Sequence, residues 1–191
     1  MEITHLGSGS RGNSVLLSTP ESNVLIDCGF SLKKTESKLQ RLDVDPKEID
    51  TILVTHHHSD HSKSALRASK KWGCNLISND ETARRLEWEG TARLKIFSEL
   101  ERIDAGVDIS LLTVPVPHDD AENVAVIACD SNGKSIVLCH LSESNNLPHI
   151  AESEVLMGIC DSFDGSLRIS KQEGPDFSNW IGQSNPERIV A

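Results

Sequence analysis

Tyrosine is absent from the 191 residues, and aromatics of all kinds reach only 4%. A core at this length is left to Leu, Ile and Val. The five cysteines (Cys28, Cys74, Cys129, Cys139 and Cys160) form no Cys-x-x-Cys pair and are odd in number. A disulfide framework is therefore not expected, and reduced thiols in the cytoplasm fit best. No apolar run is long enough to span a bilayer, and Met1-Glu2-Ile3-Thr4-His5 lacks the basic start of a secretory leader, so no membrane partner is expected. Basic residues are scarce relative to acidic ones, 19 against 29, for a net charge of −10. Such a chain repels a phosphate backbone at long range, which counts against tight non-specific nucleic-acid binding. It leaves room for a small phosphorylated substrate, because a bound metal reverses the charge locally. Repeats, low-complexity tracts and linkers are also missing, so residues 1–191 read as a single domain.

What is present is concentrated in one stretch, Thr55-His56-His57-His58-Ser59-Asp60-His61, directly after the apolar run Ile52-Leu53-Val54. The spacing is His-x-His-x-Asp-His, from His56 through His58 and Asp60 to His61. Imidazole and carboxylate are the ligands that borderline divalent metals such as zinc prefer. On extended backbone His56 and His58 face one side. Asp60 and His61 follow where the chain turns into the next helix, so one loop can present two groups of ligands. The competing reading, a polar surface turn, is a poor account of so dense a cluster. His57 breaks the pattern and should point away.

Strands are expected at Glu2–Leu6, Val15–Thr19 and Asn23–Ile26, the last two as a hairpin. Between the first two lies Gly7-Ser8-Gly9-Ser10-Arg11-Gly12-Asn13-Ser14, close to the phosphate-loop pattern G-x-x-x-x-G-K-[ST]. Asn13 replaces the lysine, however, and a strand rather than a helix follows. The remaining readings are a flexible turn or a glycine loop lying beside an active site. Asp27, in Asp27-Cys28-Gly29, is either an ordinary loop aspartate or a carboxylate that orients a metal ligand. Ser31 caps an expected helix through Leu42. Thr51–Thr55 is the strand that delivers the histidines. A helix over 62–72 closed by Gly73, a strand Asn75–Ser78 and a helix over 80–89 follow. Further strands are expected at Val107–Val116, Val124–Cys129, Ser135–Cys139 and Leu167–Ser170, with a helix over 148–157 and an irregular tail after Gly174. This mix indicates an α/β (α+β) fold with a largely antiparallel or mixed sheet.

A catalytic zinc needs three protein ligands and an open position. His118 ends the apolar strand Val107–Val116 and precedes Asp119-Asp120, making it the best third ligand for His56 and His58. His140 ends Ile136-Val137-Leu138-Cys139 in the same manner and would complete a second group with Asp60 and His61. His5 and His149 read as bystanders.

The motif Thr55 to His61, preceded by Leu25-Ile26-Asp27-Cys28-Gly29, strongly resembles the metallo-β-lactamase fold superfamily. The glycine-rich opening, His118-Asp119, and His140-Leu141-Ser142-Glu143-Ser144-Asn145-Asn146 look like its phosphodiesterase and exonuclease branch, the small relatives of ribonuclease Z and ribonuclease J. Leu167 to Trp180 resembles the branch's closing strand and tail. The resemblance implies an αββα sandwich with a dinuclear site on one edge. His56, His58 and His118 would hold one ion, and Asp60, His61 and His140 the other. It departs from the family in one respect. Only 21 residues separate His118 from His140, and one hairpin consumes them, so the usual bridging aspartate and an inserted block of sheet and helix are missing. The second half is thus shortened. Asp130 falls at the hairpin, away from the site. In another alignment His140 itself takes the bridging position, which favours one ion.

The implied activity is metal-dependent hydrolysis by a metal-activated hydroxide, with zinc as one or two ions and manganese as the other candidate. Asp60 is the candidate for orienting the nucleophile. Lys63, Arg67, Lys70 and Lys71 follow the metal loop on a helix and could attract phosphate, although a solvated helix face explains them equally well. Three functions stay open: a phosphodiesterase or nuclease acting on a phosphorylated small molecule or a nucleic-acid end, a thioesterase-type or other ester hydrolase, and a degenerate non-catalytic metal-binding protein. A homodimer is compatible with all three.

Overall fold

The computed structural model describes residues 1–98, 100–116, 122–130, 133–138, 166–169 and 180–181. The chain opens with three antiparallel strands, β1 (Glu2–Gly7), β2 (Ser14–Ser18) and β3 (Asn23–Ile26). Helix α1 (Leu32–Gln40) and a single 3₁₀ turn (Pro46–Glu48) lead to β4 (Thr51–Leu53), which runs parallel to β3. Two short helices, α2 (Ser59–Ser62) and α3 (Ala65–Trp72), return the chain to β5 (Asn75–Ser78), also parallel. Helix α4 (Asp80–Arg85) precedes the edge strand β6 (Leu94–Ile96). A second sheet follows: β7 (Arg102–Asp104), β8 (Ser110–Val116), β9 (Asn123–Asp130), β10 (Gly133–Leu138) and β11 (Ser166–Ile169). β12 (Trp180–Ile181) goes back to pair with β1. The strand orders are β12-β1-β2-β3-β4-β5-β6 and β11-β10-β9-β8-β7.

The first sheet is the wall shared by two cores. Side chains of a strand alternate faces. Val15, Leu17, Val24, Ile26, Leu53 and Ile77 meet Ile103, Leu111, Val124 and Val126 of the second sheet and Ile109 just before β8. Leu16, Leu25, Ile52, Val54 and Leu76 meet Leu39, Ala65, Ala68, Trp72 and Ala83 of the helices. Because both faces are covered, the strands read as continuous apolar runs rather than alternating ones. Helices, sheet and sheet thus form three stacked layers. The helix expected over 148–157 lies outside the described residues.

Several elements differ from expectation for local reasons. The helix expected over 62–72 is broken at Ser64, whose N–H goes to the Cys28 carbonyl (3.0 Å) and whose hydroxyl donates to the Phe30 carbonyl (2.7 Å). α4 stops early because Glu87 turns left-handed (φ 54°), which brings Trp88 into the core. The strand expected from Val107 begins only at Ser110, since Ala105 and Gly106 both donate to the Ile109 carbonyl in the β7–β8 turn. β6 and β7 were not expected, and Trp180–Ile181 forms a strand where an irregular tail was expected.

Candidate metal centre

The parallel strands β3, β4 and β5 end on the same side, and the candidate residues cluster there. After β3 the chain turns at Asp27, which takes a left-handed conformation (φ 63°) and is 1% exposed. Aspartate tolerates this region better than most residues, and such strain at a buried polar position is a mark of a functional site. Its carboxylate accepts from the Thr55 N–H (2.9 Å), from the Thr55 hydroxyl (3.0 and 3.1 Å to its two oxygens) and from His61 Nδ1 (2.6 Å).

A carboxylate only accepts, so His61 donates from Nδ1 and Nε2 carries the lone pair. The Thr55 hydroxyl, its hydrogen directed to Asp27, accepts from His56 Nδ1 at 3.0 Å, which leaves the His56 lone pair on Nε2 as well. One buried carboxylate therefore sets the tautomers of two histidines, as the outer partners of metal-bound histidines do.

His56 and His61 are each 1% exposed, and their ring centroids are 4.1 Å apart. His58 is half-buried, with its ring centroid 4.7 Å from that of His56. Asp60 Oδ2 lies 3.6 Å from His61 Nε2. Two ligands at about 2.1 Å from one tetrahedral zinc would be roughly 3.4 Å apart. The donor chemistry and this spacing fit an ion. Among the described residues no three His, Cys, Asp or Glu side chains surround one point. The proposed groups each need one further ligand, and both candidates, His118 and His140, lie outside the described residues.

The main chain holds the loop from beneath. The Asp60 carbonyl accepts from the Asn13 N–H (2.7 Å), the His61 carbonyl from the Cys28 N–H (2.7 Å), and the Asn13 carbonyl from the Gly29 N–H (3.0 Å). Gly29 is obligatory here: a Cβ at this position would lie 1.6 Å from the Asp60 carbonyl oxygen. At Gly12 a Cβ would meet the Phe30 ring at 2.6 Å, so the glycine loop lies flat on that ring. The same loop inserts Asn13, 1% exposed, with Nδ2 3.0 Å from Asp60 Oδ2 and 3.1 Å from His61 Nε2. The glycine stretch is thus beside the site rather than a free turn.

Other candidates lie elsewhere. His57 Nε2 is 3.3 Å from Arg85 Nη1 on α4. Asp130 accepts from the Met1 amino group at 2.5 Å. Lys63, Arg67, Lys70 and Lys71 are exposed, and Lys71 is engaged with Glu36 at 2.8 Å. Burial pushes the Cys28 thiol up, against its hydrogen-bond contacts with Ser64 and Thr35, and pushes the Cys74 thiol up to about 11. Neither thiol is a ready thiolate ligand or nucleophile. Asn13 and Thr55 were not assigned roles from sequence. The signal for Asn13 was present as the residue that replaces lysine in the loop; Thr55 carried none.

No helix among the described residues is long and apolar enough to cross a membrane. The chain is 40% identical over 167 residues to exodeoxyribonuclease WalJ of Streptococcus pneumoniae, covering 85% of this chain and 59% of that protein. It is 32% identical over 138 residues to exodeoxyribonuclease YycJ of Bacillus anthracis, covering 70% of this chain and 52% of that protein. It therefore spans little more than half the length of these curated relatives. The fold matches BJP-1, a subclass B3 metallo-β-lactamase of Bradyrhizobium japonicum, with a TM-score of 0.62 at 17% identity, over 86% of this chain and 73% of that one. Residues 7–143, which include the glycine loop, Asp27 and the histidine cluster, match the model of one family, and the chain belongs to the metallo-β-lactamase superfamily.

Proposed function

We propose that this chain is a metal-dependent phosphodiesterase that hydrolyses nucleic acid, most simply DNA from an end. Members of the superfamily are typically metal-dependent, and the two exodeoxyribonucleases give the substrate class its support. The single observation that carries the reading is the Asp27–Thr55–His56 and Asp27–His61 network, which prepares two Nε2 lone pairs beside Asp60 and His58. Polar investment of this kind in a buried site has no use in packing.

His56, His58 and His118 would hold one ion, and Asp60, His61 and His140 a second, with zinc favoured by the ligand types and manganese the alternative. When bound, the ions would supply Lewis-acid activation of water and neutralise charge on the phosphodiester. The protein's own part is orientation. Asp27 fixes the imidazoles, Thr55 passes that constraint to His56, and Asp60, held from below through its carbonyl, is available to align the attacking water. The net charge of −10 leaves the ions as the main attraction for a polyanion. Free, buried Cys28 and Cys74 suit a cytoplasmic location.

The test is metal analysis followed by hydrolysis assays. Metal-dependent cleavage of bis(4-nitrophenyl) phosphate and of an end-labelled oligodeoxynucleotide, lost in His58→Ala, is the expected result. Turnover of thioesters alone would move the protein to the thioesterase class. Bound metal without turnover of any ester would make it a non-catalytic metal protein.

A further inference from the structure

We propose that the Asn13 carboxamide is a built-in occupant of the cation site formed by Asp60 and His61, and that it must yield when a divalent ion binds. This rests on the reading above that those two side chains are ligands.

The orientation of the amide is settled by its surroundings. Its oxygen accepts from the Gly9 N–H at 2.8 Å, so the NH₂ group is the end that faces the site. Asp60 Oδ2 and His61 Nε2 are 3.6 Å apart, and Nδ2 lies across the gap, 3.0 Å from one and 3.1 Å from the other. Because His61 donates from Nδ1 to Asp27, its Nε2 accepts from Asn13. That lone pair serves one partner at a time, and it is the one an ion would use.

The amide also has somewhere to go. The Gly9 carbonyl lies 3.2 Å and the Asp60 carbonyl 3.3 Å from Nδ2. Two hydrogens thus face at least four acceptors, and a small rotation hands them to the two carbonyls while the bond from Gly9 is kept. Residue 13 accordingly sets how tightly this ion is held. Without metal the amide donates to these lone pairs, and that contribution is exchanged for the ion on loading. Ion binding is also coupled to the glycine loop, because Asn13 ties Gly9 to the site.

Asn13→Asp separates this role from simple packing. The carboxylate keeps the acceptor for the Gly9 N–H and turns the competing donor into a further ligand. Calorimetric titration of the metal-free chain with Zn²⁺ should give about tenfold or tighter binding of the ion that His61→Ala abolishes, since an anion replaces an amide within ligand range. Unchanged or weaker binding of that ion would overturn the proposal while leaving the ligand reading intact. A wild-type chain that binds no ion, or a His61→Ala chain that keeps every ion, would instead sink the ligand reading and the proposal with it. A second measurement needs no variant. A through-hydrogen-bond ¹⁵N–¹⁵N coupling between Asn13 Nδ2 and His61 Nε2 should be present without metal and vanish at Zn²⁺ saturation. Its absence in the metal-free protein, or its persistence after loading, would overturn the proposal.

Discussion

Replacing Asp27 by asparagine isolates one property of the site, the tautomer of His61. Asparagine is nearly isosteric and adopts the left-handed region readily, so the φ of 63° is not disturbed. The Thr55 N–H, 2.9 Å from Oδ1, forces the amide oxygen of the variant into that position. The NH₂ group must then occupy the Oδ2 position, 2.6 Å from His61 Nδ1. Two donors cannot face each other, so Nδ1 becomes the acceptor and the proton moves to Nε2, the nitrogen that would ligate the ion. Restoring the ligating tautomer leaves a buried donor unsatisfied, at a cost of about 1–3 kcal/mol. That cost corresponds to roughly five- to 150-fold weaker binding, in line with the losses seen when outer partners of metal ligands are removed. The Thr55 hydroxyl can still donate to Oδ1, 3.1 Å away, so the His56 tautomer survives. The expected result from calorimetry or chelator competition is therefore selective: one ion weakened, the other retained. Equal weakening of both ions, or none, would refute the tautomer reasoning.

Two further outcomes follow from the same geometry. Gly29→Ala places a methyl group 1.6 Å from the Asp60 carbonyl oxygen, so β3 and the metal loop must separate; loss of ion binding together with a lowered melting temperature is expected, and a variant that melts and binds like wild type would contradict the close approach. The Cys74 thiol, with its pKa raised to about 11 by burial, and the Cys28 thiol, raised for the same reason, should resist a thiol reagent in the native protein at neutral pH and react on denaturation; rapid native labelling of either would contradict their placement.

Much of this was legible in the sequence where chemistry is local. His56, His58, Asp60 and His61 sit within six consecutive residues, and Asp27 stands at the end of an apolar run, where the turn places it beside them. Strands β2 to β5 of the first sheet were legible as apolar runs, since both their faces are buried. What was not legible depends on partners remote in the chain. Asn13 looked like a failed phosphate-loop lysine because its partner Asp60 is 47 positions away. The helix break at Ser64 depends on carbonyls of Cys28 and Phe30, which no local propensity reveals. β6 and β7 have three residues each, too few for a period to emerge. Trp180–Ile181 is shorter still, and only the edge of β1 makes it a strand.

The loop bearing the candidate ligands is suspended by its main chain: Asn13 and Cys28 donate to the carbonyls of Asp60 and His61, and Gly29 packs against the first of these. None of these contacts involves a ligand side chain. The path of the loop and the identity of what it presents are consequently separable traits. Evolution, or an engineer, can rewrite His58 or Asp60 as cysteine or another carboxylate, and so shift metal preference, without redrawing the backbone that carries them.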